Sequence, residues 1–283
     1  MTPVSPAEVL NQALPYIQAF RGRTFVVKLG GSAMKDPAVV GGMVRNALLL
    51  HLVGIRLVIV HGGGPEIDTL LARLGIEKRV HRGLRVTDDA TMEAVEMALL
   101  KANKGLVAEI QRQGGRAIGL SGRDGDLLQA WPIDAELGRV GDIAYVDRTV
   151  LDAITNADLI PVVCSVATDK DRRPLNINAD SAAAAVARAV GASKLILMTD
   201  TDGVLGDIAD PASRISKLSE FEARAMISDG RAARGMIPKL EAALHALDGG
   251  VGAIHLINGS TPNALLLETF TDEGIGTMME AGR

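Results

Sequence analysis

Short aliphatic runs alternate along the chain with longer segments in which apolar residues recur at helical spacing. The runs that we predict as strands are rich in Val, Ile and Leu and span 24–29, 56–60, 116–120, 159–163, 194–198 and 253–257. Because these runs are apolar almost throughout, they indicate strands covered on both faces, as in parallel sheets. The alternation predicts an α/β protein with a mainly parallel central sheet.

The segments with helical spacing lie between these runs. We predict helices over 38–53, 66–73, 90–100, 105–113, 181–190, 220–228 and 240–247. Between Gly122 and Asp147 short alternating segments are separated by Gly and Asp, which predicts antiparallel hairpins inserted at one sheet edge. With no internal repeat or low-complexity linker, two lobes would share one continuous sheet or a tight hinge near 169–178.

A separate amphipathic segment precedes the first strand. Ser5, Pro6 and Glu8 match a capping box with Pro at the first helical position. Apolar residues then recur at helical spacing: Val9, Leu10, Ala13, Leu14, Ile17 and Phe20. Pro15 removes one bond of the helical ladder, so we predict a kinked helix. Its apolar face either packs on its own domain or meets another subunit, and the spacing leaves both alternatives open.

Composition excludes several function classes. Of the 283 residues only 2% are aromatic and the formal net charge is -4, so neither base stacking nor duplex binding is expected. Cys164, the single cysteine, lies in an apolar run, which predicts a core residue and a reducing compartment. No basic residue precedes Arg21, and the apolar stretch 47–60 is too short for a membrane span. We expect a soluble cytoplasmic protein without nucleic-acid or membrane partners.

Two glycine-rich turns directly follow predicted strands. The first contains Gly30 and Gly31, and the second contains Gly63 and Gly64. Glycines allow backbone N–H groups to approach an anion, and each turn opens onto the positive end of a predicted helix. Neither turn matches the dinucleotide fingerprint or the P-loop. One such turn indicates tight packing more often than a site, but two at the carboxyl ends of parallel strands predict a ligand site.

Two lysines lie where a cation is unfavourable. Lys28 ends an apolar strand, where its charge is costly unless it meets an anion, although a lysine can also extend to the surface. Lys239 falls in the first turn of a predicted helix, which indicates that an anion binds there; the alternative is a solvated lysine.

Two polar clusters follow later strands. Asn176 and Asn178 alternate as in an extended segment, so both amides would share one face, and Asp180 is placed to cap the next helix. The cluster from Thr199 to Gly203 has only part of the calcium-loop pattern. We interpret it as a ligand-facing loop at a strand end and not as an EF-hand.

A series of short motifs runs through nearly the whole chain. They are K-L-G-G at 28–31, H-G-G-G at 61–64, G-L-R-V-T at 83–87, G-L-S-G at 119–122, N-I-N-A-D at 176–180, T-D-T-D-G-V-L at 199–205, G-M-I-P-K at 235–239 and F-T-D-E-G-I-G-T at 270–277. In this order they resemble the N-acetylglutamate kinases of the amino acid kinase family. Related kinases of aspartate, glutamate, carbamate and UMP are not expected to carry the full set. Arg234 departs from the pattern, because the family usually has a glycine there.

The resemblance implies a three-layer αβα sandwich in two lobes. Residues 1–22 would form the oligomerisation and regulation helix, 23–177 the lobe that binds N-acetylglutamate, and 178–283 the lobe that binds ATP. The implied reaction, the second step of arginine biosynthesis, transfers the γ-phosphoryl group of ATP, with Mg²⁺, to the side-chain carboxylate of N-acetyl-L-glutamate. Since that carboxylate is ionised at neutral pH, no general base is needed, and catalysis rests on positioning and charge neutralisation.

The resemblance also implies roles for individual residues. Lys28 and Lys239 would stabilise the transferring phosphoryl group from opposite sides, with Asp180 orienting both ammonium groups. The implied substrate-binding residues, of which Arg85 and Asn176 would hold the α-carboxylate, are Gly30, Gly31, Gly63, Gly64, Arg85, Asn176 and Asn178. The implied nucleotide-binding residues are Thr199, Asp200, Asp202, Gly203, Val204, Gly235, Met236 and Lys239. Phosphates and water would supply most ligands of the metal, and no protein ligand is implied.

The segment before the first strand resembles that of the arginine-inhibited hexameric members, whereas members that begin at the first strand are dimers. We therefore expect a homohexamer, a trimer of dimers, that arginine inhibits. The candidate contacts of arginine are Tyr16, His255, Glu268, Gly274 and Gly276. Glu268 is the natural partner of a guanidinium; the alternative is an exposed glutamate on a terminal helix.

Two other functions stay open. The first is a non-catalytic amino-acid sensor or interaction protein that kept the fold, and the presence of Lys28, Asp180 and Lys239 together argues against it. The second is a sister kinase that acts on another acidic metabolite, such as an aminoadipate derivative.

Overall fold

The computed structural model describes residues 6–30, 34, 36–207, 209–233 and 235–281, so Ser5, Gly31 and Arg234 lie outside the described residues. The helices are α1 (Pro6–Phe20), α2 (Pro37–Leu52), α3 (Gly64–Leu74), α4 (Asp89–Arg112), α5 (Thr149–Asn156), α6 (Ala179–Ala189), α7 (Glu220–Ser228), α8 (Ile237–Asp248) and α9 (Ala264–Phe270). The strands are β1 (Thr24–Leu29), β2 (Arg56–His61), β3 (Val80–His81), β4 (Leu84–Arg85), β5 (Ala117–Ser121), β6 (Leu128–Pro132), β7 (Val140–Val146), β8 (Ile160–Cys164), β9 (Val166–Thr168), β10 (Pro174–Ile177), β11 (Lys194–Thr199), β12 (Ala253–Asn258) and β13 (Thr277–Glu280).

A seven-stranded sheet in the order β13-β12-β11-β1-β2-β8-β5 forms the middle layer. Its neighbouring strands are parallel, except that β13 runs antiparallel to β12. Successive residues of β1 face opposite sides: Val26 packs in the cluster that contains α6 and α8, whereas Phe25 and Val27 pack in the cluster that contains α2. Burial on both faces confirms the predicted three-layer α/β fold.

The strongly apolar runs gave the central strands to within one residue of the bounds in the structure. The predicted break between 100 and 105 is wrong, because α4 is one helix of 24 residues that continues through Gly105. A glycine inside a helix costs about 1 kcal/mol, and the buried Leu99, Leu106 and Ile110 give α4 an apolar face on both sides of it. The strands β3, β4 and β13 and the helices α5 and α9 were not predicted.

The segment between Gly122 and Asp147 belongs to a second, small sheet. Its strands β6 and β7 form an antiparallel pair, and they close into a four-stranded barrel with β9 and β10. The predicted antiparallel hairpin is therefore present, but it belongs to this barrel and does not extend the central sheet, which ends in β5 on that side. The local pattern indicated the hairpin but could not reveal its pairing with the more distant β9 and β10.

Helix α1 packs against α9 and includes Pro15. Two members of its apolar stripe are exposed in the single chain, Leu10 at 70% and Leu14 at 49%. The kink at Pro15 stays a prediction. Within the described ranges, no helix has both the length and the apolar character needed to cross a bilayer.

Strands from both sides of position 177 contribute to the central sheet, since β11, β12 and β13 lie beside β1, β2, β5 and β8. Gly30, the second glycine turn and the loop after β11 follow three adjacent strands, β1, β2 and β11. Because these strands are parallel, the three segments lie together at the carboxyl ends of the strands. The division into lobes at 177 stays a prediction.

Candidate active site

Three charged side chains meet at the carboxyl ends of the central strands. Lys28 lies near the end of β1, Asp180 in the first turn of α6 and Lys239 in the first turn of α8. The Nζ of Lys28 lies 2.8 Å from Oδ1 of Asp180, and the Nζ of Lys239 lies 2.9 Å from Oδ2 of the same residue. Each carboxylate oxygen of Asp180 therefore has its own ammonium partner.

Burial couples these charges to one another. Lys28 is only 6% exposed and Asp180 only 5%. Burial lowers the pKa of Lys28, the charge of Asp180 opposes that effect, and nearby Lys239 lowers the pKa further. Burial alone would raise the pKa of Asp180, but the ammonium groups of Lys28 and Lys239 outweigh it and hold this pKa below its ordinary value. Two ammonium groups against one carboxylate leave an excess positive charge, which favours an anionic ligand.

The cap of α6 is Asn178 and not Asp180. The Oδ1 of Asn178 accepts hydrogen bonds from the N–H groups of Asp180 and Ser181, at 2.8 and 3.4 Å. Because Asn178 satisfies the start of the helix, the Asp180 carboxylate can lie between the two lysines. The prediction of Asp180 as the cap is wrong, and so is the alternative that Lys28 extends to the surface.

The two glycine turns differ in what their missing side chains allow. A Cβ on Gly30 would lie 2.5 Å from the Nζ of Lys28, so this glycine leaves room for the lysine side chain. A Cβ on Gly63 would lie 2.8 Å from a methyl group of Leu99, which supports tight packing at that position. A Cβ on Gly64 would meet nothing within 4 Å. In the second turn, Gly63 is therefore tightly packed, whereas Gly64 faces open space.

Arg85 reaches the second glycine turn from the hairpin of β3 and β4. Its Nη2 donates to Oδ1 of Asp68 at 2.5 Å and to the carbonyl of Gly64 at 3.5 Å. Its Nη1 is buried and has no hydrogen-bond partner among the described residues. A buried donor without an acceptor is costly, so this guanidinium favours an incoming carboxylate. Asp68 was not predicted, because nothing in its sequence neighbourhood indicates its partner.

Asn176 is connected to Arg85 through Thr87. The Nδ2 of Asn176 donates to Oγ1 of Thr87 at 3.3 Å, and that hydroxyl donates to the carbonyl of Arg85 at 2.9 Å. The structure therefore brings Asn176 and Arg85 together. Asn178 lies beyond the end of β10, and its Oδ1 caps α6. That the amides of Asn176 and Asn178 share one face stays a prediction.

The loop after β11 is held by bonds within the chain. Thr199 donates from Oγ1 to the carbonyl of Thr201 at 2.7 Å, and Asp202 accepts at Oδ1 from Nδ2 of Asn258 at 2.8 Å. Asp200, in the same loop, lies close enough for its charge to raise the pKa of Lys28. These residues therefore lie at the carboxyl ends of the strands, as the charged cluster does.

The next two residues of this loop are packed against β13. Gly203 has a φ of +120°, and a Cβ there would lie 2.5 Å from Oγ1 of Thr277, so only glycine fits. Val204 is buried, and its N–H donates to the same Thr277 hydroxyl at 2.8 Å. The side chain and N–H of Val204 are therefore used within the fold.

The start of α8 opens onto a cleft. This cleft, of about 1640 Å³, lies between α6, α8 and the small barrel, and its lining includes Asn178, Gly235 and Gly83. A Cβ on Gly235 would meet nothing within 4 Å, and Met236 accepts at its carbonyl from the N–H of Leu240.

Four of the residues predicted to contact arginine, His255, Glu268, Gly274 and Gly276, lie close together near α9, and His255 and Glu268 are buried there. Nδ1 of His255 lies 2.6 Å from Oε1 of Glu268, whose Oε2 accepts from the N–H groups of Ile275 and Gly276 at 2.7 and 3.0 Å. A Cβ on Gly274 would lie 2.9 Å from Oε2 of Glu268. Because Glu268 is only 7% exposed, the alternative of an exposed glutamate is wrong.

Lys194 joins this cluster and was not predicted. Its Nζ lies 3.0 Å from Nε2 of His255 and 5.0 Å from the centre of the Phe20 ring at the end of α1. Tyr16 of the same helix donates from its hydroxyl to Oδ1 of Asp272. The available signal was a lysine at the start of the otherwise apolar β11. The cluster therefore connects α1 to β11, β12 and α9.

Potential metal ligands cluster at one place among the described residues. The described residues contain one group of three potential ligands, His81, Asp134 and Glu136, and it includes no predicted site residue. Both carboxylate oxygens of Asp180 are engaged by ammonium groups. That phosphate oxygens and water supply most ligands of magnesium stays a prediction.

Comparison with known proteins gives consistent results. The model of the amino acid kinase family matches residues 23–258. The acetylglutamate kinase of Thermosynechococcus vestitus is 51% identical over 273 residues, which are 96% of this chain and 92% of that protein. The acetylglutamate kinase of Nostoc punctiforme is 49% identical over 280 residues, 98% of this chain and 94% of that protein.

Solved structures share the fold. The N-acetylglutamate synthase of Neisseria gonorrhoeae, complexed with coenzyme A and N-acetyl-glutamate, has a TM-score of 0.87 at 28% identity and is matched over 99% of this chain. The match covers 64% of the synthase, so this chain spans less than two thirds of its length. A second structure of that synthase, complexed with coenzyme A and L-arginine, has a TM-score of 0.83 at 27% identity over 98% of this chain and 65% of the synthase.

Proposed function

The chain belongs to the amino acid kinase family, and from this premise we propose that it transfers the γ-phosphoryl group of ATP to the side-chain carboxylate of N-acetyl-L-glutamate. The product is N-acetyl-L-glutamyl 5-phosphate, an acyl phosphate of arginine biosynthesis. The observation that carries the proposal is the charged cluster in which the buried Lys28 and Asp180 meet Lys239. Relatives named acetylglutamate kinase, which are 49–51% identical over nearly the whole chain, support it.

The difficulty of this reaction is that an anionic acceptor must approach an anionic donor. The acceptor carboxylate is ionised at neutral pH, with an ordinary pKa of about 4.3, so no side chain has to remove a proton. Lys28 and Lys239 neutralise the charge on the phosphoryl group as it moves between the two oxygens. Both carboxylate oxygens of Asp180 are paired with ammonium groups, and its pKa lies below the ordinary value. Asp180 therefore positions the lysines and does not act as a base.

We assign the substrate's α-carboxylate to Arg85 and Asn176. The buried Nη1 of Arg85, which has no partner among the described residues, supports this assignment because it offers a donor to an incoming oxygen. The backbone N–H groups of Gly30, Gly63 and Gly64 would serve the phosphoryl and acceptor oxygens. Gly31 and Asn178 complete the proposed substrate-binding set.

We assign the nucleotide to the lobe of 178–283. Its proposed contacts are Thr199, Asp200, Asp202, Gly203, Val204, Gly235, Met236 and Lys239. Magnesium, when bound with ATP, neutralises phosphate oxygens. Among these residues Asp200 offers oxygen ligands of the kind that Mg²⁺ prefers, and the charge of its carboxylate acts on Lys28. The setting of the reaction would be the cytoplasm.

Arginine inhibition of a homohexamer is a further part of the proposal. Arginine would bind between α1 and α9, with Tyr16, His255, Glu268, Gly274 and Gly276 as its contacts. The acidic Glu268 and the packing of α1 on α9 support this location, because a guanidinium favours a buried carboxylate. The exposed Leu10 and Leu14 of α1 support a contact with another subunit.

A comparison of acceptors tests the proposed reaction. ADP release is measured with N-acetyl-L-glutamate, glutamate, aspartate and N-acetyl-aminoadipate at equal concentrations. The proposal predicts the highest kcat/KM for N-acetyl-L-glutamate. A higher value for N-acetyl-aminoadipate would identify a sister kinase, and no ADP release with any acceptor would favour the non-catalytic sensor.

A further inference from the structure

The function proposed above leaves one residue of the second glycine turn without a role. His61 ends β2, directly before Gly62, Gly63 and Gly64, and it is completely buried. Burial lowers the pKa of His61 to about 4. The imidazole is therefore neutral near pH 7, and a buried neutral ring that the reaction does not need as a base requires another explanation.

Two hydrogen bonds fix the tautomer of His61. Its Nδ1 lies 2.8 Å from the carbonyl oxygen of Gly62, and its Nε2 lies 3.0 Å from Nδ2 of Asn103. A carbonyl oxygen can only accept, so Nδ1 carries the proton and donates it to Gly62. An amide nitrogen can only donate, so Nε2 is the acceptor. Only the tautomer with the proton on Nδ1 satisfies both partners.

The amide of Asn103 is itself held in one orientation. Its Nδ2 also lies 2.8 Å from the carbonyl oxygen of Val162 and 3.3 Å from that of Leu120. The two carbonyl oxygens require the nitrogen and not the amide oxygen on that side. Nδ2 carries two hydrogens, which its two shortest contacts, with Val162 and His61, use. A Cβ on Gly119 would lie 2.0 Å from the Oδ1 of Asn103, so β5 closely surrounds the other side. The amide therefore connects α4, β5 and β8 to the imidazole.

This arrangement determines where the next peptide group points. In a trans peptide the C=O and the N–H point in opposite directions. Because His61 draws the carbonyl of Gly62 towards itself, the N–H of Gly63 is directed away from the imidazole. Within the described ranges this N–H donates no hydrogen bond in the chain. The adjacent Gly64 borders open space.

We propose that His61 and Asn103 are positioning residues that hold the Gly62–Gly63 peptide so that the Gly63 N–H points at an anionic oxygen of the bound substrates. His61 fixes the peptide directly, and Asn103 fixes the tautomer of His61. The inference rests on the proposed function, because phosphoryl transfer is what supplies the anionic oxygen.

Substitutions of His61 separate positioning from packing. His61→Phe keeps a ring but removes the donor, whereas His61→Asn keeps an N–H close to the position of Nδ1. Since removing one oxyanion donor costs about 100-fold or more in kcat, we expect His61→Phe to lose about 10- to 100-fold in kcat, with the KM for ATP changed by less than about threefold. His61→Asn should recover most of that loss. Asn103→Leu, which keeps a side chain of similar size but has no group that can donate, should behave like His61→Phe.

A control histidine checks that the effect is specific. His51 is partly buried in α2 and lies 3.4 Å from Asp158, and neither residue belongs to the proposed site. His51→Phe should keep the wild-type kcat. A folded His61→Phe variant with wild-type kcat would overturn the proposal, and so would a folded His61→Asn variant as slow as His61→Phe.

A measurement on the unmodified protein does not depend on activity. Nitrogen-15 spectra of the histidine side chains should show His61 with its proton on Nδ1 and no protonation of Nε2 down to about pH 5. A proton on Nε2 at pH 7 would contradict the inference even if phosphoryl transfer is normal. Conversely, a wild-type protein with the expected tautomer but no phosphoryl transfer would contradict the proposed function and leave the hydrogen bonds of His61 confirmed.

Discussion

Asp180 is the residue on which the geometry of the candidate site depends most. It is one carboxylate with two ammonium partners, at 2.8 and 2.9 Å, in a place that water hardly reaches. Removing one partner of such a group leaves an unbalanced charge that is costly to bury. The three residues should therefore act together, and single substitutions should affect the reaction nearly as much as combined ones.

Substitution of the charged cluster should lower kcat. We expect Lys28→Ala, Lys239→Ala and Asp180→Asn each to lose about 100-fold or more in kcat, with smaller changes in KM, because the charges act mainly on the phosphoryl group in transfer. Steady-state kinetics with both substrates measure this. Lys170→Ala, which removes an exposed lysine, is the matched control and should leave kcat unchanged. A near-normal kcat in any of the three variants would show that the residue has been assigned wrongly.

Arg85 should determine affinity for the acceptor and not for the nucleotide. Arg85→Lys keeps the charge but removes the planar fork that binds a carboxylate through two hydrogen bonds. We expect the KM for N-acetyl-L-glutamate to rise about tenfold, equivalent to about 1.4 kcal/mol, while the KM for ATP stays within about twofold. Initial rates measured while each substrate is varied separately test this. Equal effects on both KM values would place Arg85 outside the acceptor site.

His61 should make stability depend on pH. Its pKa in the folded chain is about 4, below the ordinary 6.5, so the unfolded chain binds the proton more readily. The resulting stabilisation is complete above about pH 6.5 and is lost as the pH falls towards 4, in total about 3 kcal/mol. Denaturant unfolding of the wild type and of His61→Asn between pH 4 and 7 measures it. An identical pH dependence in the two proteins would contradict this prediction.

At the level of helices and strands, the sequence was informative where a pattern is local. Apolar runs identified β1, β2, β8, β11 and β12 because each is buried on both faces. The cap of α6 was assigned to Asp180, whereas the backbone shows that Asn178 occupies the cap position and that the helix begins before Asp180. The pairing of β9 and β10 with the hairpin is non-local, and no local pattern carries it.

The same distinction holds for the candidate site. Lys28, Asp180 and Lys239 were found because each lies next to a glycine turn or a helix start. Asp68, Asn103 and Lys194 were missed, because their partners come from distant elements: Asn103, for example, is 42 residues from His61. A polar side chain whose partner lies on a distant element has no signature in its own part of the sequence.

Helix α1 should control assembly and regulation. Its exposed Leu10 and Leu14 have no apolar cover in the single chain, and its other end reaches the cluster of Lys194 and His255. We expect deletion of residues 1–20 to convert a hexamer into an active dimer that arginine no longer inhibits. Light scattering combined with an arginine titration of activity tests both effects. A full-length dimer, or a truncated protein that arginine inhibits equally well, would remove this role of α1.

At the level of the whole molecule, the order of strands explains where the site lies. Strands that follow β1 in the sequence are added on both of its sides, with β2 on one side and β11 on the other, so the strand order reverses at β1. In open α/β sheets, ligands bind outside the carboxyl ends of the strands at such a point. Lys28 lies on β1 itself, and the segments from both sides approach it. The fold thereby brings Lys28 and Lys239 together at this point, around the carboxylate of Asp180.

The central claim is that the γ-phosphoryl group is transferred to a carboxylate, and trapping the product tests it most directly. Wild-type protein is incubated with ATP, Mg²⁺ and N-acetyl-L-glutamate in the presence of hydroxylamine, which converts an acyl phosphate into a stable hydroxamate. The account predicts one side-chain hydroxamate for each ADP released, and formation of both products about 100-fold slower or more with Asp180→Asn. ADP release without hydroxamate, or hydroxamate formed equally well by Asp180→Asn, would contradict it.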